Sequence, residues 1–489
     1  MISLSLQSFK QYEKEGYWMD KKSLVAFMKE NEEKYVEVAS EIWKNPQIGF
    51  NETFASQLQK EVLHQAGFQI QSNIGDVETA FIAQFGNGSP IIGILGEFDA
   101  LPGLSQQIDP AFNPVKANGP GHGCGHNLLG TAGVEAVIST KKYMEENNIQ
   151  GTIRYYGCPA EELLSGKTYM ARAGAFDDLD LVYTWHPGNF GMTTNLSMQA
   201  LSSVEYFFKG RTAHAAAAPH LGRSALDAVE LTNVGANYLR EHVPDGSRIH
   251  YQITNGGLAP NVVPEDASVL YFLRGKNRAE VDDLLRRLNL VANGAAMMTE
   301  TSVTSQITAG CYDTLPNMTL NEVMYENAQL LPEIEYSAEE EQFAKTLEEN
   351  IDPAVVASTK ANIGQFGGDA SQPLIRGFKH IPQLFRMSMP GSSDIGDVSW
   401  ITPMGQVIAP CSTASVQLHT WQATAVFGSS IGMKGMHMAA QIMALSTIDA
   451  LEKPEIIEKA KQEFEKNSAG IIYKSAIPDD VNPPKPQFV

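Results

Sequence analysis

The stretch IIGILGEFD, residues 91–99, begins with five apolar or small residues and ends with two carboxylates. In two later stretches a strand-like run is likewise followed by polar residues that can bind metal: TIRYYGCPAEE, residues 152–162, ends in two carboxylates, and LVYTWHP, residues 181–187, ends in His-Pro. Each apolar run has the length and composition of a strand buried on both faces of a sheet, and helical stretches separate the runs. The sequence therefore predicts a large α/β domain whose strands are covered by helices on both sides.

The middle of the chain has a different pattern. Apolar and polar residues alternate, as in half-buried strands, along three short runs: 204–208, 249–253 and 269–273. Helical spacing follows the first and the third run, and residues 301–308 are again rich in β-forming residues. The resulting order β-α-β-β-α-β predicts a small ferredoxin-like domain inserted into the larger one. We expect the inserted domain at residues 199–313 and the catalytic α/β domain at residues 1–198 and 314–489.

Composition restricts the classes of partner. The 489 residues include 56 acidic and 36 basic side chains, for a net charge of -20. Because so acidic a surface repels phosphate groups and anionic lipid, we expect no nucleic-acid and no membrane partner. Residues 1–20 lack the basic start and apolar core of a signal peptide. Four cysteines are too few for a disulfide scaffold in a chain of this size, which favours the reducing cytoplasm.

The segment GHGCGHN, residues 121–127, is the strongest single indication of chemistry. Cys124 and His126 lie two positions apart in a glycine-rich loop, and thiolate and imidazole are good ligands for zinc-like ions. A tight turn that merely contains these residues is one alternative. A dinucleotide-binding loop is another, although its fingerprint requires a third glycine where this chain has His126.

Further metal-competent side chains follow the predicted strands. Glu161 and Glu162 come after the second apolar run and His186 after the third, and open α/β sheets bind ligands beyond the carboxyl ends of their strands. Two adjacent carboxylates can divide metal binding and proton transfer between them. An exposed acidic pair and a core histidine are the alternatives. His419, in LHTWQ, could close the site from the C-terminal side, whereas His214 lies in the predicted inserted domain.

These segments occur together in an order that resembles a known family. The chain contains, in sequence, GEFDALPG, GHGCGHN, a Glu pair after a strand, WHP, RTAHAA, SSDIGDVSW and LHTWQ. The set resembles the amidohydrolase branch of the aminoacylase-like metallopeptidase superfamily over roughly residues 30–450. Within that branch, GHGCGHNLLGTA, TWHP and PNVV are most similar to members that act on an aromatic acyl-glutamate. The resemblance implies a zinc-peptidase-like catalytic domain with an inserted dimerisation or lid domain.

The resemblance also implies a centre of two divalent metal ions, with Cys124 bridging them. The remaining ligands would be His126, Glu162, His186 and His419. Asp99 would hold these ligands in place without binding a metal ion itself. A mixed set of sulfur, nitrogen and oxygen donors accepts Mn²⁺ or Zn²⁺, and Co²⁺ is also compatible. Asn127 and Glu97 depart from the common pattern, because relatives often carry Asp at both positions, and the departures could tune the metal preference.

The implied reaction is hydrolysis of the amide bond of an N-acyl amino acid. Glu161 would be the general base, and His214 would reach the neighbouring subunit's site to stabilise the oxyanion. Asn261 and Arg274 would bind the substrate's carboxylate, for which an arginine fork is suited. The implied assembly is a homodimer or a heterodimer with a related subunit. Substrates of the hippurate or indole-acetyl-amino-acid type remain alternatives, as does a non-catalytic partner subunit.

Overall fold

The computed structural model describes residues 18–193, 195–380 and 387–486, so the N-terminal stretch considered for a signal peptide lies outside it up to residue 17. The helices are α1 (Lys21–Glu30), α2 (Glu32–Lys44), α3 (Thr53–Gln65), α4 (His126–Asn147), α5 (Gly166–Arg172), α6 (Ala225–Leu239), α7 (Arg278–Thr299), α8 (Met318–Ala328), α9 (Ala338–Glu349), α10 (Pro353–Gln365), α11 (Ile395–Ser399), α12 (Trp421–Phe427), α13 (Ser430–Glu452) and α14 (Pro454–Ser468). The strands are β1 (Gln69–Ser72), β2 (Phe81–Asn87), β3 (Ile91–Glu97), β4 (Gly151–Cys158), β5 (Leu181–Gly188), β6 (Gly191–Thr193), β7 (Leu196–Met198), β8 (Ala200–Lys209), β9 (Arg248–Asn255), β10 (Asp266–Gly275), β11 (Ser302–Cys311), β12 (Phe378–His380), β13 (Met387–Met389) and β14 (Met404–Pro410).

The larger sheet contains the three strands predicted from the apolar runs. Within the described ranges it has eight strands in the order β1-β2-β4-β3-β5-β14-β6-β12. The pairs β3–β4, β3–β5 and β5–β14 are parallel, so the carboxyl ends of these four strands share one edge. Tyr155 packs in a core cluster with α4 and α13, whereas its neighbour Tyr156 packs in a separate cluster with α5. Successive residues of a strand face opposite sides, so the prediction of a sheet covered on both faces is confirmed.

The inserted domain has its own antiparallel sheet. Its strands follow the order β11-β8-β10-β9, and α6 and α7 join them in the predicted βαββαβ sequence. Val204, Tyr206 and Phe208 on β8 are buried together against Val229 of α6 and Leu284 of α7. The alternation seen in the sequence therefore marks the face that α6 and α7 cover. The fold is a two-domain mixed α/β architecture, as predicted.

Two further features concern the helices and the cysteines. None of the helices in the described part of the chain combines the length and the apolar character that crossing a bilayer requires. The four cysteines are all buried and none is joined in a disulfide.

Candidate active site

The site forms at the edge where the parallel strands end. β3 ends at Glu97, β4 leads through Cys158 into the turn that carries Glu161, and His186 lies near the end of β5. Because β3 pairs with both β4 and β5, the fold brings these three ends side by side. His419 comes from the turn before α12, and its backbone N–H donates to the Gly123 carbonyl at 2.9 Å. The prediction that these segments meet is confirmed by their geometry.

The glycine-rich loop packs tightly before α4. Gly125 caps the helix with a φ of 83°, a left-handed conformation that costs a side-chain-bearing residue energy. A Cβ at this position would also lie 2.9 Å from the Pro187 ring, next to His186. The loop therefore approaches β5 closely, which brings Cys124 Sγ to 3.4 Å from His186 Nε2. His122, which is buried in the same loop, has its Nε2 3.2 Å from the Ile42 carbonyl.

Asp99 fixes two of the predicted metal ligands at once. Its Oδ1 lies 2.7 Å from His126 Nδ1, and its Oδ2 accepts the backbone N–H of Glu162 at 2.8 Å. With Nδ1 bonded to a carboxylate, Nε2 is the nitrogen of His126 that is left to bind a metal. Burial alone would raise the pKa of Asp99, but the neighbouring His126 lowers it below its usual range. The predicted supporting role of Asp99 agrees with these contacts.

The predicted ligands form two groups that share one sulfur. The donor atoms of Cys124, His126 and His186 lie within 4.8 Å of one another, and so do those of Cys124, Glu162 and His419. Within the second group, His419 Nε2 is 3.5 Å from Glu162 Oε2. A thiolate common to two three-donor groups is the arrangement expected of a bridging ligand between two ions.

The residues of this cluster fit divalent cations. His126 Nε2 and Glu162 Oε1 are buried polar atoms without a hydrogen-bond partner among the described residues. Burial raises the pKa of Glu162 to about 7 and lowers that of His186 to about 4. Burial also raises the pKa of Glu161 well above its usual range, with the charges of nearby carboxylates adding to the effect. A crowded set of buried anions and neutral imidazole is relieved when cations bind.

His419 adopts a strained backbone conformation at the mouth of the site. Its φ of 61° lies in the left-handed region, which non-glycine residues rarely adopt. Such strain persists only where surrounding contacts impose it, and it is frequent at functional sites. Here the backbone N–H of His419 donates to the Gly123 carbonyl, and its imidazole lies beside Glu162.

The remaining predicted residues lie in the inserted domain. His214 is exposed, its Nδ1 accepts the N–H groups of Ala216 and Ala217, and the N–H of Ala215 donates to the Asn261 carbonyl at 3.0 Å. The two residues therefore share one exposed corner, and His214 is not among the metal-competent groups of the described residues. Arg274 is half-buried on β10, and its Nε has no hydrogen-bond partner in the part of the chain that the structure describes.

The sequence-based interpretation missed three residues that surround the site. Glu52 is buried and accepts the backbone N–H of Ala160 at 2.8 Å, which holds the turn before the Glu pair. Lys167 is fully buried between Glu97 and Asp394. The third missed residue is Asp394. Glu52 at a helix start and Lys167 in a short helix carry no distinctive sequence pattern, whereas Asp394 lies in the SSDIGDVSW motif and could have been noticed there.

Comparison with known proteins defines the class. Residues 197–297 match the family described as a peptidase dimerisation domain. A dinuclear metal-binding peptidase of the M20 family from Bacillus subtilis superposes with a TM-score of 0.55 over 87% of this chain and 99% of its own, at 15% identity. An aminobenzoyl-glutamate utilization protein from Klebsiella pneumoniae gives a TM-score of 0.57 over 84% and 98%, at 17% identity. At such identities the likeness establishes the fold.

Sequence similarity to known relatives shows the family as well as the fold. The chain belongs to the M20 family of metal-dependent amide hydrolases. Within it, the chain is 40% identical to one of the subunits of the p-aminobenzoyl-glutamate hydrolase of Escherichia coli strain K12, over 92% of this chain and 96% of that protein. It is 26% identical to a mouse Xaa-Arg dipeptidase over 86% and 87%. The predicted family, enzyme class and divalent-metal dependence are confirmed, and the dinucleotide alternative is set aside.

Proposed function

We propose that this enzyme hydrolyses p-aminobenzoyl-glutamate to p-aminobenzoate and glutamate. The substrate is taken from the Escherichia coli relative, whose name carries it and which the chain matches over nearly its full length. The observation that carries the chemistry is the pair of donor groups that share Cys124 and lie next to Glu161. Conversion of an amide to an acid and an amine needs an activated water, a base and a stabilised oxyanion.

In this proposal the cluster would hold two divalent ions. Cys124 would contribute to both sites, with His126 and His186 completing one donor set and Glu162 and His419 the other. When bound, the ions supply Lewis acidity toward water and the amide carbonyl. The donors suit Mn²⁺ and Zn²⁺, and Co²⁺ is compatible as well. Asp99 keeps His126 in the tautomer that leaves Nε2 available, as its 2.7 Å contact with Nδ1 supports.

Glu161 is the general base. It stands outside both donor groups that share Cys124, yet its Oε2 lies 3.9 Å from His126 Nε2. Burial, followed by the charges of Glu97 and Glu162, raises the pKa of Glu161. A carboxylate with a raised pKa takes a proton from water more readily than an ordinary one, and it then returns that proton to the leaving amine.

The inserted domain supplies the groups that recognise the substrate. His214 reaches the neighbouring subunit's site and stabilises the oxyanion, which agrees with its exposed position away from the cluster in its own chain. Asn261 and Arg274 bind the carboxylate of the amino acid. The unpartnered Nε of Arg274 supports this role, because a half-buried guanidinium favours an anionic partner.

The chain forms an oligomer through the inserted domain, and we propose a homodimer or a heterodimer with a related subunit. Leu231, Val234 and Tyr238 support this, since they recur at helical spacing on α6 and are exposed. The domains we propose are residues 1–198 with 314–489, and 199–313. Four reduced, buried cysteines are compatible with the cytoplasm as its compartment.

The test is the release of amino acid from three compounds by protein that is first stripped of metal and then reloaded with Mn²⁺ or Zn²⁺. We expect metal-dependent release of glutamate from p-aminobenzoyl-glutamate, faster than release of glycine from hippurate or of arginine from an Xaa-Arg dipeptide. A Glu161→Gln variant prepared identically controls for contaminating hydrolases. Faster cleavage of either other compound would contradict the proposed substrate. If the metal-loaded protein cleaves none of the three compounds, the proposal that this chain is active without a partner subunit is wrong.

A further inference from the structure

Lys167, on α5, is a buried lysine held by two carboxylates. Its Nζ lies 2.6 Å from Glu97 Oε1 and 2.6 Å from Asp394 Oδ1, and its backbone N–H donates to Asp394 Oδ2 at 2.8 Å. All three side chains are exposed by 3% or less. An ammonium group buried in this way is stable only when its charge is matched by close partners. Lys167 therefore has essentially one orientation, which Asp394 imposes through both of its oxygens.

The other oxygen of Glu97 points into the candidate metal centre. Glu97 Oε2 lies 3.3 Å from His126 Nε2, the nitrogen that is left for metal binding once Asp99 engages Nδ1. That nitrogen has no hydrogen-bond partner within the described ranges. The donor atoms of Glu97, His126 and Glu161 also lie within 4.8 Å of one another. Glu97 thus offers a free carboxylate oxygen on the side of His126 where a metal ion would bind.

We propose that Glu97 is a further donor to the ion bound at His126 Nε2, and that Lys167 is the positioning residue that directs it there. This inference rests on the proposed two-ion centre. Lys167 engages one oxygen of Glu97, so only the second oxygen is left to face the ion. Glu97 Oε2 thereby adds a carboxylate to the donors around His126 Nε2, and carboxylate oxygens are ordinary ligands of zinc-like ions.

A purely structural role for Lys167 makes the opposite prediction for metal affinity. If Lys167 only neutralised buried charge, its removal would take a positive charge away from the site and strengthen cation binding. If it positions Glu97, its removal leaves the carboxylate free to rotate or to share a proton with Asp394, and cation binding weakens. The sign of the change in metal affinity therefore separates the two roles.

The experiment measures Zn²⁺ affinity by competition with a chromogenic chelator, using metal-free full-length protein. We expect Lys167→Met and Glu97→Gln each to weaken binding of one of the two equivalents about 10- to 100-fold, as loss of a supporting contact does. The double variant is expected to bind no more weakly than Glu97→Gln, because Lys167 acts through Glu97. Unchanged or tighter binding in Lys167→Met, or additive losses in the double variant, would overturn the proposal.

Matched variants guard against misfolding. Lys21→Met removes another lysine that pairs with an aspartate, Asp449, on helices outside the site, and it should leave both Zn²⁺ affinities unchanged. If Lys167→Met does not fold, Asp394→Asn keeps the lysine and removes the negative charge of one of its two partners. A folded Asp394→Asn protein should still bind one equivalent more weakly, and unchanged affinity would count against the inference. Failure of wild-type protein to bind two equivalents would refute the two-ion centre itself, whatever the substrate.

Discussion

Glu161 is the residue on which the proposed reaction depends most. Glu161→Gln keeps the shape of the side chain but removes its ability to accept a proton. We expect kcat on the cleaved acyl-amino acid to fall by about 10²- to 10⁴-fold. Metal content should stay at the wild-type level, because Glu161 lies outside both donor groups that share Cys124. The measurements are steady-state kinetics and elemental analysis on the same preparation. Wild-type turnover in this variant would exclude Glu161 as the base.

At the same scale, sequence predicts the site only where a residue carries a local pattern. Cys124 and His126 could be found because two ligand types lie close together in a glycine-rich loop. Lys167 could not be found, because its role depends on its contact with Asp394, which is 227 residues away in sequence. The role of a buried charge depends on partners that only the tertiary structure assembles. Such residues become visible once the fold has placed them.

Among the secondary-structure elements, α4 and α13 are joined by a buried pair behind the site. His437 Nδ1 on α13 lies 2.6 Å from Oε1 of the fully buried Glu135 on α4, and His437 Nε2 lies 3.6 Å from Glu32 on α2. We expect His437→Ala to lower the free energy of unfolding by about 3 kcal/mol, because it leaves Glu135 buried without its charge partner. Urea unfolding of metal-free protein measures the loss.

The matched control is the double variant Glu135→Gln with His437→Ala. Removing the carboxylate charge along with its partner should recover most of the lost stability, since no unpaired charge is then buried. If the double variant is as unstable as His437→Ala, the loss comes from packing between the helices and the pairing argument is wrong.

The length of an element decides how well the sequence predicts it. β3, β4 and β5 each contain a mostly apolar run, and β8 and β10 alternate in a way that marks their buried face, so both sheets could be predicted. The three-residue strands β6, β7, β12 and β13 could not be. Three residues are too few to show a period, and such strands form because their neighbours supply hydrogen bonds.

At the scale of the whole molecule, the C-terminal segment contacts a motif that lies next to the site. Tyr473 donates to Asp397 Oδ1 at 2.7 Å, and Asp397 belongs to the same SSDIGDVSW motif as Asp394. Burial raises the pKa of Asp397 from 3.8 to about 7, and the Tyr473 hydrogen bond opposes that rise. Because its folded pKa is raised, Asp397 makes folding less favourable as the pH climbs from about 4 to 7.

Tyr473→Phe removes the donor that stabilises the charged form of Asp397. The stability difference from wild type should therefore be small near about pH 5 and reach about 1–3 kcal/mol near about pH 8, where the carboxylate is ionised. Thermal or urea unfolding at several pH values measures it. Tyr336→Phe is the matched control, because the buried Tyr336 hydroxyl has no hydrogen-bond partner among the described residues. A difference for Tyr473→Phe that does not grow with pH would contradict this account.

The assembly itself can be tested through His214. This residue is exposed and does not belong to the metal-competent cluster of its own chain. If each site takes Glu161 from one subunit and His214 from the other, His214→Ala and Glu161→Gln dimers are each inactive. A mixed dimer then has one complete site, formed by Glu161 of the first variant and His214 of the second. Co-expression with two different tags allows the mixed dimer to be isolated, and we expect about half of wild-type turnover. An inactive mixed dimer that has bound its metal would place His214 outside a shared site.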